Sequence, residues 1–146
     1  YRNGKIKSEV LWMHNAIKII PNNSRVTLFN NFIFKSFGLF GKNLRLNPVR
    51  VDERGNELAP LHKIKGAVSK GYYVMLDPPE KIYLDAGVFC DNLKKAKIDY
   101  VVISKTPKGN WPQQRSFLES SEKYAQKVFS SNEGEIWKIF DGLKTN

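Results

Sequence analysis

The sequence predicts an α/β domain: a mostly parallel, Rossmann-like sheet with helices on both faces, ended by a C-terminal antiparallel hairpin. Three observations carry this expectation. Short apolar runs, Arg25 to Phe29, Tyr72 to Leu76 and Tyr100 to Ile103, are separated by stretches with helical spacing, the strand-helix-strand order of parallel sheets covered by helices. The tail reads as a strand, a short helix and two further strands, Gln126 to Phe129 and Ile136 to Ile139, around a polar loop. Finally, 146 residues with 41% hydrophobic and 12% aromatic content bury a core without needing a staple. The chain therefore reads as one domain over 1–146.

Each element follows from local chemistry. Ser8 is placed to cap a first helix, in which Val10, Met13, Ile17 and Ile20 fall at spacings of 3, 4 and 3 on one face before Pro21 ends it. Pro21-Asn22-Asn23-Ser24 is turn chemistry, and Arg25 to Phe29 alternates as the first strand. Asn30 or Asn31 caps a second, aromatic-rich helix through Phe32, Ile33, Phe34 and Phe37, stopped at Gly38 or Gly41. Leu44 to Val51 is extended, and Pro48 within it marks an edge strand or a bulge.

Asp52 to Gly71 is an excursion from the sheet, with a turn at Arg54-Gly55-Asn56 and a short segment around Leu58 to Val68. Tyr72 to Leu76 has the composition of a buried strand stopped by Asp77-Pro78-Pro79. Asp85 starts a helix with Phe89, Leu93 and Ala96 on one face, leading through Asp99 into the strand Tyr100 to Ile103. At the close, Ser130 to Gly134 supplies hairpin-loop residues, with Gly134 available for positive φ and Trp137 in a packing role.

Charge is unevenly placed. Residues 1–73 hold 13 Lys/Arg against 4 Asp/Glu, whereas residues 74–146 hold 11 against 10, and up to Val51 the only acid is Glu9. A positive field of that extent attracts anions, and a solvated basic surface that aids solubility is the plainer reading. Lys35, Lys42, Arg45 and Arg50 are the candidate ligands for such an anionic partner: nucleic acid, anionic membrane headgroups, or a phosphorylated or acidic glycan. Phe32 to Phe40 then has two readings, a helix packed on the sheet or an interfacial element beside those cations.

Other constellations are missing from the sequence. His14 and His62 have no ligand partners at metal spacing, and Cys90 stands alone without a base. Asp77, Glu80, Asp85 and Asp91 fit turn and cap roles at least as well as acid-base work. Gly38 to Lys42 has the Gly-x-x-Gly spacing of KH loops but apolar residues between the glycines, and neither a phosphate loop nor a dinucleotide fingerprint occurs. No catalytic residue, metal or cofactor is expected.

No run approaches the roughly 18 apolar residues of a membrane span, so the chain is expected to be soluble as it stands. Its start at Tyr1, in a Lys/Arg-dotted stretch, reads as a segment cut from a longer protein.

Two segments carry a resemblance. Trp12 to Val26, with its Ile19-Ile20-Pro21 turn, resembles the helix, turn and first strand that follow the last membrane span of polytopic glycosyltransferases using lipid-linked sugar donors (the GT-C type). Lys97 to Ile103, then Phe117-Leu118, Tyr124, Lys127-Val128-Phe129 and Gly134 to Ile139, are similar to the close of the extracytoplasmic domains of that family. The resemblance implies a non-catalytic accessory domain on the extracytoplasmic face, attached to a parent transmembrane region that carries the catalytic aspartate, and contacting acceptor glycan or lipid headgroups. The alternatives are a ligand-binding or sensor domain of another membrane protein, a basic nucleic-acid-binding module, for which only the charge speaks, and a freestanding enzyme.

Overall fold

In the computed structural model, which describes residues 12–13, 15–29, 45–58, 82–105 and 109–140, five strands form one mixed sheet. They are β1 (Arg25–Phe29), β2 (Asn47–Pro48), β3 (Tyr100–Ser104), β4 (Ala125–Ser130) and β5 (Gly134–Ile139), in the order β2-β1-β3-β5-β4. β1 pairs parallel with β2 and β3, whereas β5 pairs antiparallel with both β3 and β4. The sheet is thus mixed, not mostly parallel in its pairings. Because β3 and β4 both oppose β5, they run in the same direction, and the C-terminal half is a split β-α-β unit with β5 in its gap.

Side-chain character explains that insertion. β5 is buried at five of its six positions and needs a neighbour on each side, while β4 exposes Gln126, Lys127 and Val128 and suits an edge. The hairpin itself is as the sequence implied.

The two faces of the sheet carry separate cores. Val26, Val102 and Ile136 join Trp12, Met13, Ala16, Ile17 and Ile20 on one face, with Leu28, Tyr100 and Phe129 packed against them. Val101, Ile103, Trp137 and Ile139 point the other way, where Phe29 and Ala125 meet Phe89, Cys90, Leu93 and Leu118. This is the period-two alternation of strands buried on both sides.

On that second face lie α1 (Ala86–Lys95) and α2 (Gln114–Glu119). Asp85 caps α1 as expected, its carboxylate accepting from Gly87 N at 2.8 Å and Val88 N at 3.3 Å. The Phe89 ring sits between Phe29 and Phe117, with centroids 5.6 and 5.1 Å away. Over the first face, residues 12–16 are helical where described and tighten into a 3-10 turn at Ile17–Ile19; the inward spacing of Met13, Ile17 and Ile20 is realised, all three being buried.

Pro48 does lie at an edge. Asn47 N and Val49 N donate inward to Ser24 O and Val26 O at 2.9 and 2.8 Å, so position 48 is the one at which a ladder N–H is not needed. Beyond it, Asp52 Oδ1 accepts from Arg54 N and Asn56 N, both at 2.9 Å, and Gly55 takes φ +90° in the predicted turn. Asn92 of α1 and Gln114 of α2 hold this turn through Arg54 O at 2.9 Å and Glu53 O at 3.0 Å. The helix expected through Phe32 to Phe37, the strand Tyr72 to Leu76 and the segment beyond Leu58 lie outside the described residues.

Gly134 departs from expectation. Positive φ occurs at Gly55 and Gly109 among the described glycines, not at Gly134. Its need for a bare Cα is steric: a Cβ there would run into both the Trp12 indole and the backbone carbonyl of Ile103. The same indole stacks on Phe129, centroids 6.2 Å apart and planes within 13°.

A β-bulge makes the stacking possible. Lys127 pairs with Trp137 but Phe129 pairs with Ile136, so one extra residue, Val128, is accommodated between them. Simple alternation would put Phe129 on the same face as Lys127. The bulge turns it to the opposite face, over the N-terminal segment.

Candidate functional site

Of the four cations expected to hold an anion, Lys35 and Lys42 lie outside the described residues. Arg45 has a different occupation: its guanidinium donates to the carbonyls of Ile17 and Ile20 and, at 3.3 Å, to Asn22 Oδ1. It closes the C-terminal end of the N-terminal helical segment, adding a second donor to Ile17 O, which already accepts from Ile20 N at 3.0 Å, at the end where the helix dipole favours a cation. Arg50 is half-buried between β2 and the Asp52 turn, its carbonyl accepting from Leu58 N at 2.9 Å, and it too has partners within the protein. Arg25 is engaged as well, donating to Ala96 O at 3.0 Å and to Glu57 at 3.1 Å.

The densest polar cluster centres on a residue that sequence reading passed over. Glu135, 1% exposed, lies on the helix-covered face of β5. Arg115 of α2 grips it in a fork, Nε to Oε1 and Nη2 to Oε2, both at 3.0 Å. Trp137 Nε1 donates to Oε1 at 3.1 Å and Lys127 Nζ to Oε2 at 3.3 Å.

Burial pushes the Glu135 carboxyl up, but the hydrogen bonds from Arg115, Trp137 and Lys127 outweigh it and hold the group below its ordinary range. The Arg115 guanidinium is raised in turn, first by its bond to Glu135. A signal for this was in the sequence: in the strand Gly134 to Ile139, alternation puts Glu135 on the same face as Trp137 and Ile139, and a carboxylate there must find cations.

Aromatic rings extend the cluster. The Arg115 guanidinium lies 4.2 Å and Lys105 Nζ 4.8 Å from the centre of the Trp111 ring, and Lys127 Nζ lies 5.5 Å from that of Trp137. Beside Lys127 opens a groove of about 460 Å³, between the end of α2 and the outer hairpin. It is lined by Glu119, Glu122, Gln126, Lys127 and Phe140 and by the buried residues Ala125 and Trp137. A neighbouring depression, reaching from Glu119 and Glu122 to the start of α1, shares that acidic corner.

The remaining candidates have structural work. Asp85 caps α1, Asp99 Oδ2 accepts from Arg25 N at 2.8 Å, and Cys90 is buried, with burial pushing its thiol up against the opposing influence of Ser121 and Lys94. His14, His62, Asp77 and Glu80 lie outside the described residues. Among the described residues no group of three His, Cys, Asp or Glu side chains could hold a metal, and no helix is long and apolar enough to cross a membrane.

The class defined by these observations is a mixed α/β domain, with a five-strand sheet, two helices on one face and a buried ionic cluster beside a shallow groove. No protein-family model matches the chain, and neither a curated protein nor a solved structure is significantly similar to it.

Proposed function

We propose that this chain is the accessory, non-catalytic domain of a membrane glycosyltransferase that uses a lipid-linked sugar donor, held on the extracytoplasmic face and contacting the acceptor glycan. One observation supports this reading above others. The two segments that resemble that family, Trp12 to Val26 and Lys97 to Ile139, pack on each other: Trp12 stacks on Phe129 and lies against Gly134, and Met13, Ile17 and Ile20 share a core with Val26, Val102 and Ile136. Segments 71 or more residues apart that resemble one kind of domain thus act as one folding unit. The engagement of Arg25 and Arg45 with acceptors inside the fold weighs against a nucleic-acid surface built on them, since phosphate binding needs free cations.

The test is made on the full parent protein in membranes. Alkaline extraction should leave it in the bilayer, an epitope in the β4–β5 hairpin should be accessible only from the extracytoplasmic side, and added polyprenyl-phosphate sugar should be consumed. A parent released by alkali, or one that is membrane-held but transfers no sugar from any such donor, overturns the proposal.

A further inference from the structure

We infer that Asn22 is a site of N-linked glycosylation, modified on the nascent chain before the turn that carries it is locked against the sheet. This goes beyond the reading above and rests on it only for location, because N-linked glycans are attached on the extracytoplasmic side of a membrane.

The motif is complete. Asn22-Asn23-Ser24 has the Asn-x-Ser spacing of an acceptor site with no proline at position 23 or 25, and no other asparagine of the chain is followed two residues on by serine or threonine. Such a motif needs a surface turn, and the fold supplies one. Pro21, Asn22 and Asn23 are exposed, Ser24 N donates to Pro21 O at 3.4 Å, and Asn23 takes φ 67°, a left-handed conformation that asparagine tolerates.

The Asn22 side chain presents the atom that reacts. Its Oδ1 accepts from Arg45 Nη1 at 3.3 Å, while its Nδ2 bonds to nothing among the described residues. In the transfer, Nδ2 attacks the anomeric carbon of an oligosaccharide carried on a polyprenyl diphosphate. A C–N bond forms, the bond from that carbon to the diphosphate oxygen breaks with its electron pair, and the proton lost from the amide goes to a base of the transferase. The amide oxygen takes no part in that exchange, so its bond to Arg45 survives and steadies the stem of the glycan.

Ser24 fixes the timing. Its hydroxyl, which the transferase must read, donates to Pro21 O at 2.8 Å, and the residue is 8% exposed. The turn is also tied to the segment that leads into β2: Asn23 N donates to Arg45 O at 2.7 Å and Asn47 Nδ2 to Asn23 O at 3.0 Å. The folded turn therefore withholds the serine while exposing the asparagine. The glycan is added before residues 45–47 close on the turn, and the fold accommodates it afterwards.

The test is made on the parent protein from its native membranes. Trypsin releases Ile19 to Arg25, and an amidase that removes N-linked glycans, used in heavy-oxygen water, should convert Asn22 of that peptide to an isotope-tagged aspartate. Asn22→Gln, at an exposed position, should make the parent lighter by one glycan on gels, and Ser24→Thr, which keeps the motif, should not. Purified folded chain given to transferase-bearing microsomes and lipid-linked oligosaccharide should gain many-fold less glycan than chain offered during its synthesis.

An unmodified Asn22 in the native parent, or equal modification of folded and nascent chain, overturns the inference. The two proposals fail separately. An unmodified Asn22 in a parent whose hairpin epitope faces the extracytoplasmic side sinks only the glycosylation site. A glycan on Asn22 of a parent that transfers no sugar sinks only the transferase reading.

Discussion

The Trp12 indole occupies the space that a side chain at Gly134 would fill. This pair joins the start of the described chain to the last hairpin, and it exists because the bulge at Val128 brings Phe129 round to stack on the same indole. An N-terminal helical segment is thereby fastened to a strand more than a hundred residues away.

Gly134→Ala should destabilise the protein by about 2–3 kcal/mol, since the β5 backbone or the indole must shift. The contact is made by the outer atoms of the six-membered ring of Trp12, which phenylalanine lacks. Trp12→Phe also removes an indole N–H that is buried without an acceptor among the described residues. In urea denaturation the double variant Trp12→Phe/Gly134→Ala should therefore cost about 1 kcal/mol less than the sum of the single changes, the remaining penalty coming from the Ile103 carbonyl that also crowds the new methyl. Strict additivity would show that the two residues do not share the space.

Glu135 should set the acid limb of stability. Its folded-state carboxyl is held below the ordinary value, so its contribution is fully present above the unfolded-state range near pH 4.5 and is lost as pH falls through the lower folded value. Glu135→Gln should reduce stability at pH 7 by about 2 kcal/mol, less than a fully enclosed pair because Arg115 and Lys127 are partly exposed. It should also flatten the dependence between pH 5 and 2. Urea midpoints measured across that range decide the matter, and parallel acid limbs in the two proteins would contradict it.

Arg45→Ala should lower stability by about 1–2 kcal/mol, because the carbonyls of Ile17 and Ile20 lose a charged donor. The loss should appear first as faster amide exchange around the 3-10 turn. Unchanged exchange there would return Arg45 to the list of free cations.

Cys90 should resist thiol reagents in the native protein. It is buried and its thiol is pushed up by burial, so the thiolate that reacts is scarce at neutral pH. Labelling with an aromatic disulfide should proceed at the rate of unfolding and accelerate in denaturant; rapid stoichiometric labelling without denaturant would place the helix elsewhere.

Local chemistry was legible at several points along the described chain. Alternation gave β1 to the residue, Asp85 announced the α1 cap, Pro48 announced an edge, and Arg54-Gly55-Asn56 announced a turn. Each depends on residues within a few positions of one another. Strand partners do not: the alternation of β5 is the same whether its neighbours run with it or against it, and the parallel expectation failed at that point. Gly134 was misread for a related reason, since a glycine that makes room for a distant indole looks in sequence like one that makes a turn.

The candidate site was less legible. The basic first half drew attention to Arg45, whose partners are carbonyls that carry no mark in a sequence. The Glu135 cluster and the groove join α2 to both strands of the hairpin, residues 115 to 140, and depend on how those elements face each other.

By itself, then, the sequence determined, among the described residues, the strands β1 and β3, the closing hairpin, the apolar face of α1 and the places where α1 and the Arg54-Gly55-Asn56 turn begin, because propensity, capping and periodicity act over a few residues. Only the tertiary structure decided that β5 enters between β3 and β4, that a bulge turns Phe129 to Trp12, and that Arg115, Lys127 and Trp137 converge on Glu135. Those outcomes are set by which buried surfaces and buried charges can be satisfied together, a condition on the whole sheet and not on any one stretch of chain.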